Sequence, residues 1–188
     1  RSPIISCTRL GQWTPTLMAA IALAVGSASA QTGGTVNFGN HSSSLITNHR
    51  FLPFFDDWRH RRNPASQKPV QLLDDGTTSN DDRLGALGDL RFALDHAAIE
   101  DDLLVLAADN LLHFSLAEFV AAFQARPASH LCVHTVHDEA RLRRTGVVVL
   151  DAEDRVVEFA EKPPTPKTHL AVPPIYLFPR TTLPRVSE

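Results

Sequence analysis

The fold class is decided by the apolar run Leu103-Leu104-Val105-Leu106-Ala107, which stops at Ala108-Asp109-Asn110. A short continuous apolar run that ends in polar residues is typical of a buried parallel strand. Open α/β sheets place their ligand sites at the carboxyl ends of such strands. We therefore expect the carboxylate of Asp109 to lie at a ligand site.

A second strand and a polar loop precede this run. The strand candidate is Val70-Gln71-Leu72-Leu73, and the loop runs from Asp74 to Asn80. Ser79 and Asp82 stand at capping-box spacing, so we expect a helix to begin near Asn80. Its apolar side would be formed by Leu84, Leu87, Leu94 and either Leu90 or Arg91. Such a loop before a helix suits the polar edges or phosphates of a nucleotide, and an ordinary capped turn explains the same residues.

Strands and helices alternate along the rest of the chain from Leu45 onward. The predicted elements are a strand at 45–47, a helix at 51–60, a helix at 114–123 capped by Ser115, a strand at 130–136, and a hairpin of 146–150 with 155–159. Repeated strand-helix-strand units imply a mixed, mainly parallel sheet with helices on both faces. The predicted fold class is therefore α/β.

Composition limits the functions that the chain can have. It holds 188 residues, 43% of them hydrophobic, which is enough for one domain with a core. Its net charge of -3 offers no basic surface, so we expect no nucleic-acid partner. Cys7 and Cys132 make no disulfide framework, and Cys132 is expected to be a core residue. His130, His134 and His137 argue little for a metal site, since on a strand the first two share a face that the third does not.

Residues 1–44 differ from the rest, and three interpretations remain open. Residues 17–25 form an apolar run too short to span a bilayer, and Arg9 upstream with Ala28-Ser29-Ala30 downstream is typical of a signal peptide. The run also fits a buried strand that is followed by a small-residue turn. Alternatively, the segment is unrelated to the domain behind it. We therefore divide the chain into an atypical segment, 1–44, and a domain, 45–188.

Four groups of residues then carry a resemblance to a known family. They are Asp75-Gly76-Thr77-Thr78-Ser79-Asn80 with Asp82-Arg83-Leu84-Gly85-Ala86, the strand ending Ala108-Asp109-Asn110, Thr145-Gly146-Val147-Val148 with Glu158-Phe159 and Glu161-Lys162-Pro163, and Ile175-Tyr176-Leu177-Phe178. Together they resemble the sugar-phosphate nucleotidyltransferase family, whose familiar members are glucose-1-phosphate thymidylyltransferases and uridylyltransferases. The resemblance covers residues 45–183, and residues 146–176 are its most specific part.

The resemblance implies a Rossmann-like, GT-A-like nucleotidyltransferase fold. It also implies a reaction that joins a nucleoside triphosphate to a sugar 1-phosphate and releases pyrophosphate. Attack of one anionic phosphate on another needs a divalent cation and positive groups more than it needs a general base. The implied cofactor is therefore Mg²⁺, and the implied partners are the nucleoside triphosphate and the sugar 1-phosphate.

The same resemblance implies roles for individual residues. Asp109 matches the aspartate that holds Mg²⁺ near the α-phosphate, and Lys162 matches the lysine that contacts the phosphate of the sugar. Glu161 matches the carboxylate that accepts sugar hydroxyls, and Gly146 matches the glycine whose backbone lies against the sugar. Asn110 and Tyr176 complete the implied substrate contacts. Contacts with the nucleotide are implied for Asp75, Gly76, Thr77, Asn80 and Arg83.

The chain also departs from the pattern of the family. The family binds the triphosphate with a Gly-rich loop that carries an Arg, and no Gly-x-Gly-Thr-Arg occurs in this sequence. Pro173-Pro174 stands where the family usually has a small polar residue and a glycine, and the second metal-binding aspartate of the family would lie beyond Glu188. We therefore expect a domain that is incomplete at both ends and makes nucleotide sugars poorly. The alternative is a non-catalytic remnant or a sugar-phosphate-binding module.

The implied reaction also bears on location and assembly. Its substrates are found in the cytoplasm, so we expect a cytoplasmic protein with no membrane partner, which could assemble as a homo-oligomer. An exported protein is the alternative if residues 9–30 are a signal peptide.

Overall fold

The structure is a computed structural model. The part of the chain that it describes contains fourteen strands and four helices. That part consists of residues 7–9, 20–25, 29–30, 36–37, 43–47, 57, 70–79, 81–82, 84–97, 99, 101–107, 110–112 and 114–186. The strands are β1 (Cys7–Arg9), β2 (Ala20–Val25), β3 (Ser29–Ala30), β4 (Val36–Asn37), β5 (Ser43–Thr47), β6 (Val70–Asp74), β7 (Leu103–Ala107), β8 (Asn110–Leu112), β9 (His130–Leu131), β10 (His134–Thr135), β11 (Gly146–Leu150), β12 (Val156–Glu161), β13 (Leu170–Val172) and β14 (Ile175–Phe178). The helices are α1 (Gly85–Ala97), α2 (Leu116–Ala125), α3 (Glu139–Leu142) and α4 (Leu183–Val186), and a 3-10 turn at Arg180–Thr182 precedes α4.

Strand β7 is the predicted buried strand, and it lies near the middle of a six-stranded sheet. The strands of this sheet are ordered β6-β5-β2-β7-β14-β9. Leu103 and Leu104 of β7 are at most 1% exposed, and Val105 is 4% exposed. β7 ends at Ala107, so the prediction of a buried strand that ends before Asp109 is confirmed. The prediction that this strand is parallel is wrong, since β7 pairs antiparallel with both of its neighbours, β2 and β14.

The six-stranded sheet is mixed, as predicted, and four of its strands run in the same direction. β5 and β6 pair in parallel. β2 pairs antiparallel with both β5 and β7, and β14 pairs antiparallel with both β7 and β9. Because the two reversed strands lie between strands of the common direction, only one of the five neighbouring pairs is parallel. The α/β class is confirmed. The prediction that the sheet is mainly parallel is wrong, because most neighbouring strands pair antiparallel.

Helices cover both faces of the six-stranded sheet, because alternate residues of its strands point to opposite faces. On one face α1 packs in a cluster formed by Leu73, Leu90, Ala93, Leu103, Val105 and Leu183. On the other face α2 packs in a cluster formed by Leu104, Phe119, Val120, Phe123, Cys132, Ile175 and Leu177. The predicted helices on both faces are confirmed. Cys132, only 2% exposed, is the core residue that the sequence predicted.

The first helix begins later than the sequence predicts. Ser79 and Asp82 form a hydrogen-bonded turn, but α1 begins at Gly85 and not near residue 80. Gly85 has a φ of +75°, and a residue in the left-handed region interrupts a right-handed helical path. The capped turn and the helix are therefore two separate structures.

The apolar side predicted for this helix is only partly correct. Leu90 is buried, and Leu94 packs partly buried against the same cluster. Leu84 and Leu87, however, are 47% and 78% exposed. Ala93 is fully buried in their place, because the later start turns the first leucines away from the sheet.

Helix α2 agrees with its prediction. Ser115 is the N-cap residue, and its hydroxyl oxygen accepts a hydrogen bond from the backbone N–H of Ala117 at 3.2 Å. This bond satisfies one of the free donors at the start of the helix. Phe119, Val120 and Phe123 form the buried face, as the helical spacing predicted.

A second sheet, with four strands ordered β10-β13-β11-β12, contains the predicted hairpin. β11 and β12 pair antiparallel, with Gly146 opposite Glu161. The single strand predicted over residues 130–136 is wrong, since β9 joins the six-stranded sheet and β10 joins the second sheet. The backbone N–H of Cys132 still donates to the carbonyl of Ile175 in the first sheet. The chain then crosses over, so His130 and His134 do not share the strand face that the sequence predicted.

Two predictions concern segments that are only partly described. The helix predicted at 51–60 is described only at Asp57, which is helical. Within the apolar run 17–25, residues Ala20–Val25 form β2, which lies between β5 and β7. Among the described residues, no helix combines the length and hydrophobicity needed to cross a membrane.

Candidate functional site

The carboxyl ends of β5, β6 and β7 meet at one edge of the six-stranded sheet. Thr47 at the end of β5 is opposite Asp74 at the end of β6. Thr47 is also opposite Ala20, whose neighbour Ile21 is opposite Ala107 at the end of β7. The loop after β6 and the residues after β7 therefore leave the sheet at the same edge, which is where the sequence predicted a ligand site.

Asp109 itself lies outside the described residues, two positions after the end of β7. Asn110 is the first residue of β8, and its backbone pairs with Arg9 of β1. The sequence placed Asn110 at the end of the strand that carries Asp109, whereas the structure ends β7 at Ala107 and places Asn110 in a separate two-stranded sheet.

Backbone pairing connects the end of β7 to the second sheet. The N–H of Ala107 donates to the carbonyl oxygen of Pro174 at 3.0 Å. Pro174 follows β13, whose Val172 is opposite Gly146, and Gly146 is opposite Glu161 on its other side. The carbonyl of Pro174 thus accepts a hydrogen bond from the end of β7. Through this bond and strand β13, the end of β7 is linked to the start of β11 and the end of β12.

Glu161 and Lys162 stand together at this junction. The ammonium Nζ of Lys162 lies 3.5 Å from Oε1 of Glu161, and both side chains are exposed. An exposed pair of this kind adds little to the stability of the fold. The backbone N–H of Lys162 donates to the carbonyl of Thr145 at 3.1 Å, and Lys162 has a φ of +48°. A left-handed conformation costs a lysine roughly 1 kcal/mol, and such strain is often found at functional sites.

Gly146 is buried beneath two side chains of β12. A β-carbon at this position would lie 2.8 Å from Cζ of Phe159 and 3.3 Å from Oε2 of Glu161. A side chain on residue 146 would therefore displace the exposed Phe159 ring from its position over the backbone. The absent side chain lets the Phe159 ring and the Glu161 carboxylate approach the backbone closely.

Tyr176 brings β14 into the same region. It is opposite Val105 of β7 and Leu131 of β9, and it is partly buried against the α1 cluster. Burial raises the pKa of Tyr176, and the negative charge of Glu161 raises this pKa further. The charge of Glu161 in the second sheet therefore acts on the Tyr176 phenol of the first.

The Tyr176–Glu161 interaction can be measured because the chain contains a single tyrosine. We expect Glu161→Gln to lower the pKa of Tyr176, since the variant removes the negative charge and leaves the burial unchanged. The measurement is a titration of phenolate absorbance, with Glu158→Gln on the same strand as the matched control. Identical titrations of Glu161→Gln and the wild type would show that the two side chains are not close.

The loop after β6 is closed by its own carboxylates. Oδ1 of Asp74 accepts from the N–H of Gly76 at 3.0 Å, and Oδ1 of Asp75 accepts from the N–H of Thr77 at 2.8 Å. Gly76 has a φ of +75°, which few other residues adopt. Thr77 is only 4% exposed, and its hydroxyl has no hydrogen-bond partner within the described residues. Of the other residues predicted to contact the nucleotide, Asn80 and Arg83 lie outside the described part.

Asp82 holds the following turn together. Its carboxylate accepts four hydrogen bonds, from the N–H and hydroxyl of Thr78 and from the N–H and hydroxyl of Ser79, at 2.8 to 3.1 Å. The backbone bond from Thr78, then that from Ser79, lowers the pKa of Asp82 far below its ordinary value. The sequence identified Ser79 and Asp82 as a capping pair but missed the bonds to Thr78.

The pKa shift of Asp82 predicts a pH dependence of stability. Its pKa is lower in the folded state than in the unfolded state, so the carboxylate stabilises the fold above about pH 4. This contribution is lost as the pH falls through the lower, folded-state value. We expect Asp82→Asn to lower the melting temperature at neutral pH and to differ less from the wild type as the pH falls below about 4. Thermal unfolding measured across this range, with Asp81→Asn as control, tests the prediction; a difference that does not change with pH contradicts it.

The histidines do not form a metal site in the described residues. His130 lies in the six-stranded sheet and His134 in the second sheet. Burial, and then the charge of Arg141, lowers the pKa of His134. The described part of the chain contains no group of three or more His, Cys, Asp or Glu side chains that could hold a metal ion.

Comparison with known proteins relates this arrangement to a family. The model of the family described as nucleotidyl transferase matches residues 44–187. The chain belongs to the nucleotidyl transferase family. The matched residues include the second sheet and most of the six-stranded sheet, but not β2. The resemblance to sugar-phosphate nucleotidyltransferases is confirmed.

Individual relatives agree with this family. The chain is similar to the glucose-1-phosphate adenylyltransferase of Fervidobacterium nodosum, with 35% identity over 78 residues, which are 40% of this chain and 18% of the relative. The corresponding protein of Thermosipho melanesiensis is 35% identical over 80 residues, 42% of this chain and 19% of the relative. The chain therefore matches less than a fifth of the length of these relatives.

Solved structures agree on the fold. A protein from Bacillus anthracis assigned as a glucose-1-phosphate thymidylyltransferase superposes with a TM-score of 0.63 and 19% identity, over 77% of this chain and 55% of that chain. A UDP-glucose pyrophosphorylase without ligand gives a TM-score of 0.60 and 14% identity, over 77% and 61% of the two chains. At these identities the structures establish only that the nucleotidyl transferase shares their α/β fold.

Proposed function

We propose that this domain takes part in the synthesis of a nucleotide sugar from a nucleoside triphosphate and a sugar 1-phosphate, with release of pyrophosphate. The observation that carries the proposal is the junction of the two sheets. There Glu161 and Lys162 stand exposed, the Glu161 carboxylate lies beside Gly146, and Pro174 accepts a hydrogen bond from the end of β7. Membership of the nucleotidyl transferase family supports the reaction type.

Lys162 supplies the positive charge that this reaction needs. An oxygen of the sugar phosphate attacks the α-phosphorus of the triphosphate, the bond from that phosphorus to the pyrophosphate oxygen breaks, and pyrophosphate leaves. Both reactants are anions, so their approach is opposed by charge repulsion. The Lys162 ammonium attracts the sugar phosphate and offsets its charge. The Lys162–Thr145 backbone bond fixes the main chain from which this side chain extends.

Glu161 and Tyr176 recognise the sugar itself. A carboxylate accepts hydrogen bonds from sugar hydroxyls, and a phenol can both donate and accept. The raised pKa of Tyr176 keeps its hydroxyl protonated at neutral pH, so it remains a donor. We assign Asn110 to the same substrate site because it follows the end of β7 closely.

Asp109 is the residue that would hold Mg²⁺. Mg²⁺ in nucleotide enzymes is usually held by one or two carboxylates together with phosphate oxygens, so a cluster of protein ligands is not required. A carboxylate two residues beyond the end of β7 fits this chemistry. When bound, Mg²⁺ offsets negative charge on the phosphates.

The loop after β6 contacts the nucleotide in this proposal. It leaves the sheet at the same edge as β7, and it includes the buried Thr77 hydroxyl that lacks a partner within the described residues. A ligand group that bonds this hydroxyl would remove the cost of burying it. The proposed contacts are Asp75, Gly76, Thr77, Asn80 and Arg83.

We further propose that the 188-residue chain catalyses this reaction slowly, and that it does so in the cytoplasm. Its sequence contains no Gly-x-Gly-Thr-Arg loop, so it lacks the arginine with which that loop contacts the triphosphate. Loss of one fixed group that stabilises charge on a reacting phosphate typically lowers the rate by about a hundredfold or more. The same observation favours a second candidate function, a module that binds sugar phosphates without catalysis.

The test is pyrophosphate release by the purified chain with Mg²⁺, several nucleoside triphosphates, and glucose 1-phosphate or mannose 1-phosphate. We expect slow release that requires both substrates. A folded chain that binds glucose 1-phosphate but releases no pyrophosphate would support the binding module instead. Release that does not need the sugar 1-phosphate would contradict both functions.

A further inference from the structure

A half-exposed aromatic ring lies beside Glu161 at the junction of the sheets. Phe159 stands two residues before Glu161 on β12, so the two side chains lie on the same face of the strand. Phe159 is 51% exposed. Its Cζ and the Glu161 Oε2 lie 2.8 Å and 3.3 Å from the position that a β-carbon would take on Gly146. The ring and the carboxylate therefore flank one point of the sheet from which no side chain projects.

The ring is supported on one side and open on the other. Phe159 is opposite Val148, which is 0% exposed, and the ring contacts Gly146. Its remaining surface faces solvent, directly beside the charged pair of Glu161 and Lys162. An apolar face next to convergent polar groups is the usual composition of a small-molecule site.

We propose that Phe159 forms the apolar wall of the sugar 1-phosphate site. A pyranose ring has one edge of hydroxyls and a face of C–H groups. The C–H face packs on the Phe159 ring, the hydroxyls bond Glu161, and the phosphate meets Lys162. This inference rests on the proposed function and deepens it, because the wall selects a sugar phosphate that has a six-membered ring over one that lacks such a face.

The test is isothermal titration calorimetry of the full 188-residue chain with glucose 1-phosphate. We expect Phe159→Ala and Phe159→Leu to weaken binding by about tenfold, the size expected when half of a phenylalanine side chain no longer packs on the ligand. Phe159→Leu keeps apolar volume if the alanine variant folds poorly. Phe159→Trp should retain binding, because it keeps an aromatic face. Val157→Ala, at a 62% exposed position on the same strand, is the matched control and should bind as the wild type does.

Three results would overturn the inference. If Phe159→Ala and Phe159→Leu bind glucose 1-phosphate as tightly as the wild type, Phe159 does not form a wall of the site, and the proposed function is unaffected. If Val157→Ala weakens binding as much as the Phe159 variants do, the effect comes from a change in the whole exposed strand and not from the Phe159 ring. Failure of the folded wild type to bind glucose 1-phosphate contradicts the wall and the proposed sugar site together.

Discussion

Asp109→Ala is expected to lower the rate of pyrophosphate release by about a thousandfold or more. Asp109 follows β7 by two residues in the sequence, and β7 ends at the sheet edge where β5 and β6 also end. Without it, the charge on the phosphates is no longer offset at the place where bonds form and break. The measurement is the rate at saturating concentrations of both substrates, over a series of Mg²⁺ concentrations.

Two controls separate this effect from misfolding. The far-ultraviolet circular dichroism and melting temperature of Asp109→Ala should match those of the wild type. Asp95→Ala removes an exposed carboxylate from α1 and should leave the rate unchanged. A folded Asp109→Ala variant that keeps the wild-type rate would remove Asp109 from the site.

Lys162→Ala is expected to raise the KM for the sugar 1-phosphate roughly 10- to 100-fold, the size of a lost hydrogen bond to a charged group. The KM for the nucleoside triphosphate should change little, because the loop after β6 provides the proposed nucleotide contacts. Lys162 is exposed and contributes little to the core, so the variant should fold.

A second lysine of the same region serves as the control for Lys162. Lys167 is exposed, and its ammonium lies 2.7 Å from the carboxylate of Glu158 rather than beside Glu161. Lys167→Ala should leave both KM values unchanged. If Lys162→Ala raises both KM values equally, the residue acts on the whole domain and not on the sugar phosphate.

The sequence predicted those strands and helices that are determined by the residue pattern within each element. The apolar run of β7 could be identified because a strand buried on both faces needs apolar residues at every position. Helix α2 was predicted because Ser115 caps it and its apolar spacing is helical. The hairpin of β11 and β12 follows from two apolar strands around a polar turn.

The failures have two other causes, strand pairing between distant segments and the backbone conformation of one glycine. The chain crosses between sheets after Cys132 because β9 pairs with β14 and β10 pairs with β13, which no local pattern specifies. The start of α1 depends on the positive φ of Gly85, and the capping signal of Ser79 describes the turn before it. Local propensity is overridden by such tertiary contacts.

The candidate site was predictable as a set of motifs but not as an arrangement. Gly146, Glu161 and Lys162 were identified by their resemblance to a family pattern. The effect of the Glu161 charge on the pKa of Tyr176 acts between two sheets, so only the structure reveals it. Phe159 was part of a motif, yet a phenylalanine on a strand is usually a core residue; its position two residues before Glu161 was the available signal.

The most direct test of the proposed reaction follows the oxygen atoms of the sugar phosphate. Glucose 1-phosphate with heavy oxygen in its phosphate group is incubated with Mg²⁺, a nucleoside triphosphate and an excess of the 188-residue chain, so that slow turnover still gives product for mass spectrometry. If the sugar phosphate attacks the α-phosphorus, the nucleotide sugar contains all of the label and pyrophosphate contains none. A product mixture of unlabelled nucleoside monophosphate and pyrophosphate, with no nucleotide sugar, would mean that water is the nucleophile and would contradict the proposed function.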